Sequence, residues 1–399
     1  MSDTLSAQPI PPITVTVIMA TYNRAAYLAQ SLESLLNQTR PPEEILVIDD
    51  GSTDDTSAIL AGYGDRIRVI RRQNAGKPAA LNYAIPLAKG THIWLFDDDD
   101  LALPHALATH VAFLAQRPDV DLCFSRNYTF DGDGDIADEA RWRKPATPDY
   151  DGETLLIHLM RDCTLVFQAL LVAKHCFTEA GPFDETLGRA EDYDMLLRLA
   201  RSYTSACTGD YTFVWRNHAG ERGSASERHS NADRTKLFRY YERQIFARLR
   251  RELALPEYLS PEARKPWSEA KMARALLERA DVMFLHDLNS EGASDLRRVL
   301  DQCNRRSDFQ YWTLARRTAL RAADIGDPIF IRGAGERARF LASAMDGLSR
   351  WQLAPSVYKG FYWAMRRSLR QRRPWDAARI IAAVPQFSWA LACRRPVIS

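Results

Sequence analysis

The first half of the chain repeats one pattern of apolar and polar positions. Residues 13–19 form a β-branched run, a polar loop follows, and leucines then recur at helical spacing through residues 28–36. Further apolar runs of strand length are found at residues 44–48, 67–70, 92–96 and 120–125. Strand, loop and helix in this order predict an α/β fold that begins with a parallel sheet.

Polar residues gather in the loops that directly follow these runs. In a parallel sheet the carboxyl ends of the strands meet at one edge, where ligands bind beside the loops and helix N-termini. We therefore expect one crevice to collect Thr21, Tyr22, Asp49, Asp50, Lys77, Asn82 and residues 97–100. The chain has neither a Gly-x-Gly-x-x-Gly fingerprint after the first run nor a Gly-Lys-Ser/Thr P-loop. A nucleotide in this crevice would be held by carboxylates and a metal ion.

The loop after the fourth run contains four consecutive aspartates, Asp97 to Asp100. Like charges this close raise one another's pKa and disfavour folding unless a cation balances them. Oxygen ligands at a rigid strand end suit a hard divalent ion, Mg²⁺ or Mn²⁺, which also binds substrate phosphates. The alternative is a solvated acidic turn that caps the helix beginning near Pro104.

Composition places the chain among globular proteins of two or three domains. It has 399 residues, 46% of them hydrophobic, and a formal net charge of +2 that indicates no particular partner. Its six cysteines show no zinc-ligand spacing, so we expect them to be reduced and mostly buried. Residues 1–12 are polar and rich in proline, which predicts a disordered tail without a signal peptide.

No apolar run approaches the roughly 18 to 20 residues that span a bilayer. We therefore expect the protein in the cytoplasm or at the inner face of the cytoplasmic membrane. After about residue 231 the pattern becomes helical, with apolar residues on one helical face through residues 273–284. These changes predict an α/β domain at residues 13–230 and an all-helical domain at residues 231–399.

Residues 351–399 combine basic and aromatic side chains. They contain nine lysines and arginines against one acidic residue, Asp376. Basic residues beside aromatics are typical of helices that dock on an anionic membrane surface. The alternative is a helical subdomain whose aromatics form a core and whose arginines face water. Nothing else in the chain favours a nucleic-acid partner.

Several short motifs occur in a fixed order along the first half. They are Ala-Thr-Tyr-Asn-Arg at 20–24, Val-Ile-Asp-Asp-Gly-Ser-Thr-Asp at 47–54, Asn-Ala-Gly-Lys at 74–77, Leu-Phe-Asp-Asp-Asp-Asp at 95–100, Gly-Pro-Phe-Asp-Glu at 181–185 and Ala-Glu-Asp-Tyr-Asp at 190–194. Together they resemble family-2 glycosyltransferases of bacterial type, over about residues 13–226. The resemblance implies an inverting enzyme with the GT-A fold, a Rossmann-like and mostly parallel sheet, a nucleotide-sugar donor, and Mg²⁺ or Mn²⁺.

The resemblance also implies roles on the donor side. Thr21 and Tyr22 match positions that contact the base, and either Asp49 or Asp50 would accept a hydrogen bond from it, with Asp50 favoured. Lys77 matches a position near the diphosphate, where a flexible ammonium acts as a point charge. Leu81 stands where the family often has a basic residue. The implied donor-binding residues are Thr21, Tyr22, Asn23, Arg24, Asp49, Asp50, Lys77, Asn82, Asp97 and Asp98.

The same comparison implies the metal ligands and the base. Asp99 would be the direct metal ligand, with Asp97 near the ribose or the metal, although four aspartates leave the register open by one. His218 would approach the metal or the diphosphate from a loop. Asp192 is the favoured base and Glu191 the second candidate, because a helix N-terminus favours the ionised carboxylate that a base needs. The alternative for this pair is simple helix capping.

We therefore expect an inverting, metal-dependent glycosyltransferase that uses a nucleotide-sugar, first of all a UDP-sugar. Its acceptor would be a glycan, a glycolipid or a lipid-linked sugar, contacted by loops such as residues 131–150. The chain lacks the Gln-x-x-Arg-Trp motif of processive synthases. The rival hypotheses are a catalytically inactive sugar-nucleotide or glycan-binding module and a nucleotidyltransferase, and the latter would carry a glycine-rich basic loop near its start.

Overall fold

The structure is a computed structural model in which the chain forms two compact units, Met1–Phe238 and Arg239–Ser399. It describes residues 12–132, 134–145, 154–218, 231–306, 347–370 and 374–392, with residues 315, 318, 319, 339, 341 and 342. The predicted tail, except residue 12, lies outside the described residues. So do residues 146–150 of the predicted acceptor loop.

Within the described residues, the first unit contains one sheet of eight strands. They are β1 (Val15–Thr21), β2 (Glu44–Asp49), β3 (Arg68–Arg71), β4 (His92–Leu95), β5 (Leu101–Ala102), β6 (Leu122–Asp131), β7 (Leu170–Ala173) and β8 (Ser205–Asn217). Their order across the sheet is β3, β2, β1, β4, β7, β6, β8, β5. The first four strands are parallel and coincide with the first four apolar runs, within one or two residues.

The other half of the sheet is mixed. β7 lies between β4 and β6 and runs antiparallel to both, whereas β8 runs parallel to β6 and antiparallel to β5. All four residues of β7 are buried, and a run this short gives no periodicity by which its place could be predicted. The predicted α/β fold class is confirmed, with the parallel pairing concentrated in the half that contains β1.

Helices connect the strands of this sheet. In the first unit they are α1 (Leu28–Leu36), α2 (Thr56–Ala61), α3 (Lys77–Leu87), α4 (Ala106–Gln116), α5 (Leu155–Arg161), α6 (Lys174–Ala180) and α7 (Glu191–Ser202), with short 3₁₀ turns at Gly64–Arg66, Glu139–Arg141 and Phe167–Ala169. α1 shows why these segments fold against the sheet, since Leu28, Leu32 and Leu35 recur on one face and are fully buried.

The register of the parallel strands aligns their carboxyl ends. Thr21 pairs with Asp49, and Asp49 pairs in turn with Arg71. The backbone N–H of Asp50 donates to the carbonyl of Thr21 at 2.9 Å, which extends the pairing one residue into the loops. The loops after β1 and β2 therefore leave the sheet side by side, as expected for parallel strands.

All of the secondary structure described for the second unit is helical. The helices are α8 (Asn231–Glu252), which spans the division between the units, α9 (Pro261–Arg264), α10 (Glu269–Leu285), α11 (Asn289–Arg306), α12 (Gly347–Arg370) and α13 (Pro374–Ala392), with a 3₁₀ turn at Leu255–Tyr258. One apolar core joins α10 to α13 and includes Leu276, Leu296, Val357, Phe361 and Phe387. The predicted helical region after the α/β domain is confirmed.

A buried ion-pair cluster also holds the second unit together. Asp295 on α11 is fully buried and accepts from Arg279 on α10 at 2.8 and 2.9 Å and from Arg250 on α8. Two guanidinium groups around one carboxylate satisfy its oxygens without water. Among the described helices, none is long and apolar enough to cross a membrane.

Candidate active site

A cleft of about 300 Å³, part of it open to solvent, lies at the carboxyl edge of the parallel strands. It is lined by Ile18, Ala20, Lys77, Leu81, Leu95, Phe96, Asp97, Phe167, Phe183, Glu191 and Asp192. The end of β4 and the first residues of α3 and α7 all contribute to it. The cleft thus brings together Lys77, Asp97, Glu191 and Asp192, which the sequence assigned to separate motifs.

Asn23 connects the loop after β1 to the loop after β2 by hydrogen bonds. The backbone of Asn23 has a φ of +52°, and its side-chain oxygen accepts from the N–H of Thr53 at 2.7 Å. The N–H of Asn23 donates to the hydroxyl of Ser52 at 3.0 Å. Tyr22, directly before it, is half-buried. The side chain of Asn23 therefore shapes the loop that presents Tyr22.

Asp49, at the end of β2, also uses its carboxylate inside the protein. One oxygen accepts from the N–H of Ser52 at 2.8 Å, and the other accepts from the hydroxyl of Ser57 at 2.6 Å. Burial acts to raise the pKa of Asp49, but these hydrogen bonds outweigh it and hold the pKa below its usual value. Asp49 is therefore an ionised anchor for the start of α2.

Asp50 is bound to the loop before α3. It accepts from the N–H groups of Ala75 and Gly76, the latter at 2.7 Å, and Arg72 lies 3.4 Å away. Burial nevertheless raises the pKa of its carboxyl group above the usual value. These contacts occupy the oxygens of Asp50, so its predicted hydrogen bond to a base would share an oxygen with the loop or displace it.

Lys77 begins α3 and faces the acidic cluster across the cleft. Its ammonium lies 2.5 Å from a carboxylate oxygen of Asp97. Burial acts to lower the pKa of Lys77, but the negative charges of Asp97, Glu191 and Asp192 outweigh it and raise the pKa above its usual value. Lys77 therefore remains a permanent cation between the two acidic groups.

Asn82, one turn further along α3, does not line the cleft. Its side-chain oxygen accepts from the N–H of Phe183 at 2.7 Å, and its amide nitrogen donates to the carbonyl of Phe183 at 3.0 Å and to Glu185 at 2.8 Å. Asn82 therefore fixes the Gly-Pro-Phe-Asp-Glu segment, and through Phe183 it shapes one wall of the cleft.

The aspartates after β4 have different partners. Asp98 pairs with Arg24 at 3.4 Å, and Asp99 lies 3.0 Å from Nε2 of His218. Asp100 is fully enclosed and accepts from the side chain of Gln168 and from the N–H of Arg216, each at 2.7 Å. Since Asp97 pairs with Lys77, each of the four carboxylates has a different partner.

Asp98 is the carboxyl group that burial affects most clearly in this cluster. Burial raises its pKa to about 7, against the opposing effect of Arg24 and with a further contribution from the charge of Asp99. A cation near the cluster would favour the ionised form of Asp98. Burial therefore does not decide whether the metal-binding pair is Asp97 and Asp99, as expected, or Asp98 and Asp100.

The donor set fits a hard divalent cation. Carboxylate oxygens of Asp97, Asp99 and Asp100 lie within 4.8 Å of one another. Nε2 of His218 lies 3.0 Å from a carboxylate oxygen of Asp99, which matches the separation of about 3.0 Å between adjacent ligand atoms of an octahedral ion with bonds of about 2.1 Å. The carboxylates of Asp97, Asp99 and Asp100 are therefore the candidate ligands, with His218 next to Asp99.

Arg216 contacts the aspartate loop, and no role was assigned to it from the sequence. Its guanidinium is buried and donates to the carbonyl of Asp99 at 2.9 Å, to the carbonyl of Gly134 at 3.2 Å and to the side chain of Gln30 at 2.6 Å. It also lies 5.0 Å above the ring of Tyr27. Alternation along β8 places Arg216 on the buried face, which was the available signal. No comparable sequence pattern indicated a role for Gln168.

Glu191 and Asp192 form the first turn of α7, on the other side of the cleft. We expected the helix N-terminus to keep both carboxylates ionised. For Glu191, burial and then the charge of Asp192 act in the opposite direction and raise its pKa to about 7 against the effect of Lys77. Asp192 accepts from the N–H of Tyr193 at 2.8 Å. The two neighbouring carboxyl groups are therefore chemically distinct.

Comparison with known proteins identifies the first unit. Residues 16–172 match the family model described as glycosyl transferase family 2. The first unit is a family-2 glycosyltransferase domain. An uncharacterised glycosyltransferase of Rickettsia typhi is 32% identical over 196 residues, which are 47% of this chain and 58% of the relative. One of Methanocaldococcus jannaschii is 31% identical over 196 residues, 47% of this chain and 66% of the relative.

Chondroitin synthase of Escherichia coli is 30% identical to this chain over 203 residues, 50% of this chain and 28% of that protein. The chain thus spans between a quarter and two thirds of the length of these relatives. Crystal structures of S. aureus TarS share the fold at 16% identity and a TM-score of 0.50. One covers 96% of this chain and 55% of TarS. The other, TarS 1–349 in complex with UDP-GlcNAc, covers 90% of this chain and 93% of that one.

Proposed function

We propose that this family-2 glycosyltransferase transfers a sugar with inversion from a nucleotide-sugar donor to a hydroxyl group of an acceptor. The observation that carries the proposal is the single cleft in which Lys77 and Asp97 face Glu191 and Asp192. Groups for a diphosphate and groups for a proton therefore lie within one site. The relatives that match the domain are named glycosyltransferases, which agrees with this assignment.

A UDP-sugar is the first donor to test. TarS, which shares the fold, was crystallised with UDP-GlcNAc. In this chain, the loops after β1 and β2 offer the half-buried ring of Tyr22 for stacking on a base, next to Thr21 and Asp50. The permanent positive charge of Lys77 suits the diphosphate, which it would meet beside Asp97.

A divalent ion, Mg²⁺ or Mn²⁺, belongs to this proposal because the carboxylate oxygens of Asp97, Asp99 and Asp100 fit it, and His218 lies next to Asp99. When bound, it would neutralise the charge that develops on the leaving diphosphate. Arg216 and Gln168 would act by positioning, since they hold the Asp99-Asp100 backbone and carboxylate in place. Lys77 would bind the donor phosphates electrostatically.

The acceptor hydroxyl would be activated by Asp192. Its carboxylate would take the proton of the hydroxyl as the oxygen attacks the anomeric carbon of the donor, and the bond from that carbon to the diphosphate oxygen would break. The products are the glycosylated acceptor and the nucleoside diphosphate. Burial and the charge of Asp192 raise the pKa of Glu191 to about 7, which favours its neutral form and makes it the weaker candidate for this role.

The acceptor in this proposal is a glycan, a glycolipid or a lipid-linked sugar, of the kind used in building a cell envelope. A lipid-linked acceptor would place the enzyme at the cytoplasmic face of a membrane. Tyr362, Trp363 and Leu369 on α12 are between 41% and 54% exposed. The exposed cations Lys359 and Arg370 lie on the same helix, and this combination suits an anionic lipid surface.

Isothermal titration of the full chain with nucleoside diphosphates tests the donor site. We expect one of them, first UDP, to bind in the presence of Mn²⁺ or Mg²⁺ and to bind far less with a chelator. Asp99→Ala should weaken binding by more than about tenfold. The matched control is Asp119→Ala, which removes an exposed aspartate that pairs only at the surface with Arg117.

Release of the nucleoside diphosphate from sugar donors, measured with candidate acceptors, then tests turnover. No nucleotide binding with either metal would contradict the donor site. Metal-dependent binding without transfer from any donor would favour the inactive binding module instead.

A further inference from the structure

A second cluster of ligand side chains lies at the edge of the sheet opposite the cleft. β7 ends there because it runs antiparallel to β4, and His92 at the start of β4 pairs with Ala173 at the end of β7. His175 and Cys176 follow at the start of α6, and Asp121 directly precedes β6. The backbone N–H of Ala173 donates to the carbonyl of Asp121 at 3.0 Å, which fixes the segments together.

Three different donor atoms converge in this cluster. Nε2 of His175 lies 3.6 Å from Sγ of Cys176 and 3.8 Å from a carboxylate oxygen of Asp121. All three atoms lie within 4.8 Å of one another. Tetrahedral zinc with ordinary bond lengths separates a sulfur from a nitrogen by roughly 3.5 Å, and a nitrogen from an oxygen by roughly 3.3 Å. A small inward shift would therefore bring these atoms onto one ion.

The surroundings of the cluster also favour a cation. The N–H of Thr204 holds the other oxygen of Asp121 at 2.8 Å, which leaves the first oxygen facing His175. Cys176 is fully buried, and burial first and then the charges of Asp121 and Glu179 raise the pKa of its thiol to about 12, so the thiolate would form only with a bound cation beside it. His175 is 51% exposed, which gives an ion access from solvent.

We propose that Asp121, His175 and Cys176 bind one zinc ion as a structural site of the α/β unit. Thiolate and imidazole ligands select zinc over the Mg²⁺ or Mn²⁺ expected in the cleft. Three protein ligands leave the fourth position of the ion for water. The ion would join the turn between β7 and α6 to the residue before β6. It would stabilise the unit without taking part in sugar transfer.

Cobalt substitution tests this site in the full chain. Co²⁺ bound by a cysteine gives a thiolate-to-metal charge-transfer band, which carboxylate and imidazole ligands of the cleft do not give. In an Asp99→Ala background with excess Mg²⁺, we expect one equivalent of Co²⁺ to produce this band and Zn²⁺ to abolish it by displacement. Zn²⁺ should also raise the midpoint of thermal unfolding.

Cys176→Ser should remove the band, and His175→Ala should weaken Co²⁺ binding by about tenfold or more. His175→Ala changes an exposed side chain, so it remains informative if Cys176→Ser fails to fold. Cys207→Ser is the matched control and should keep both the band and the thermal shift. Absence of the band in the parent chain at saturating Co²⁺, or an equal band with unchanged affinity in His175→Ala, would overturn the proposal.

Discussion

Charged residues at the carboxyl edge have identifiable partners. Arg24 lies 3.4 Å from Asp98, Lys77 lies 2.5 Å from Asp97, and His218 lies 3.0 Å from Asp99. Removing one member of the mostly buried pairs Arg24–Asp98 or His218–Asp99 leaves the other without compensation, which destabilises a fold by about 3 to 5 kcal/mol. The more exposed pair of Lys77 and Asp97 contributes less, because solvent screens it. Single residues around the aspartates therefore affect both the shape of the loop and its charge.

Arg216→Met tests whether Arg216 acts by holding the Asp99–Asp100 segment in place. The substitution keeps the apolar length of the side chain but removes its donors to Asp99, Gly134 and Gln30. We expect the free energy of unfolding to fall by about 2 kcal/mol because buried acceptors lose their donor, and metal-dependent nucleotide binding to weaken. Denaturant unfolding and calorimetric titration measure the two effects. Arg143→Met, which removes a mostly exposed arginine, should change neither.

Asp192→Asn should lower the turnover number by at least about a hundredfold if Asp192 is the base. The affinity for the nucleoside diphosphate should stay close to that of the parent, because the donor does not need the base. Glu191→Gln is the matched control, and it should retain more activity. A larger loss in Glu191→Gln than in Asp192→Asn would exchange their roles.

The carboxylates of the site could be predicted from the sequence because they follow strands in recognisable motifs. Three of their partners, Arg24, Lys77 and His218, were also named from the sequence, but Arg216 and Gln168 were not. Arg216 and Gln168 reach Asp100 from 116 and 68 residues away, through pairings between β6, β7 and β8 that no local pattern indicates. Asn82 was placed near the cleft, yet the direction of its side chain depends on where Phe183 packs.

At the scale of elements, α4 places a histidine side chain in the core of the first unit. His110 is fully buried, with Nδ1 3.3 Å from the sulfur of Cys123 on β6. The ring of Trp94 on β4 lies 6.1 Å away. Burial lowers the pKa of His110 to about 3 because the charged imidazolium would lose its water. The contact between α4 and the sheet therefore requires a neutral histidine.

His110→Leu should make the protein less sensitive to acid. The unfolded chain binds a proton on this histidine below about pH 6.5, whereas the folded chain does not until about pH 3. The contribution of neutral His110 to the free energy of unfolding is therefore fully present above about pH 6.5 and is lost as the pH falls towards 3. Between pH 7 and pH 5, titration of His110 should lower the free energy of unfolding by about 2 kcal/mol.

Denaturant unfolding at the two pH values measures this difference. The loss should be smaller by about that amount in His110→Leu. His105→Gln, at the exposed start of the same helix, should lose as much as the parent. Equal losses in the parent and in His110→Leu would contradict the assignment.

The elements differ in how far their sequence determines them. β1 to β4 are bounded by polar loops and rich in β-branched residues, so their existence and order could be predicted. β5 has two residues and β7 has four, and neither is long enough to show a period. Their places depend on which neighbouring strands remain unpaired, which is a property of the assembled sheet.

At the scale of the molecule, the aromatic residues of the last two helices divide between two roles. Phe361 and Phe387 are buried in the helical core, as the subdomain alternative predicted. Tyr362 and Trp363 are 50% and 41% exposed, and the guanidinium of Arg366 lies 5.7 Å above the ring of Trp363. The exposed residues, rather than the whole segment, form the surface proposed for membranes.

Binding to lipid vesicles tests this surface. The protein should sediment with anionic vesicles at low salt and remain in solution with zwitterionic ones. Trp363→Ser should weaken binding by about tenfold, the effect of removing one partly inserted aromatic ring. The matched control is Trp267→Ser, which changes a tryptophan of similar exposure, 44%, outside α12. Equal weakening by both substitutions, or no binding by the parent, would exclude this surface.

The bonds between the loops after β1 and β2 have a consequence for selectivity. Asn23, Asp49 and Asp50 use their side chains on backbone N–H groups, so the wall that would face a base is already rigid before any ligand arrives. Little conformational entropy then remains to be lost on association. Such a wall discriminates by excluding shapes that do not fit, and a substitution in either loop alters preorganisation in both.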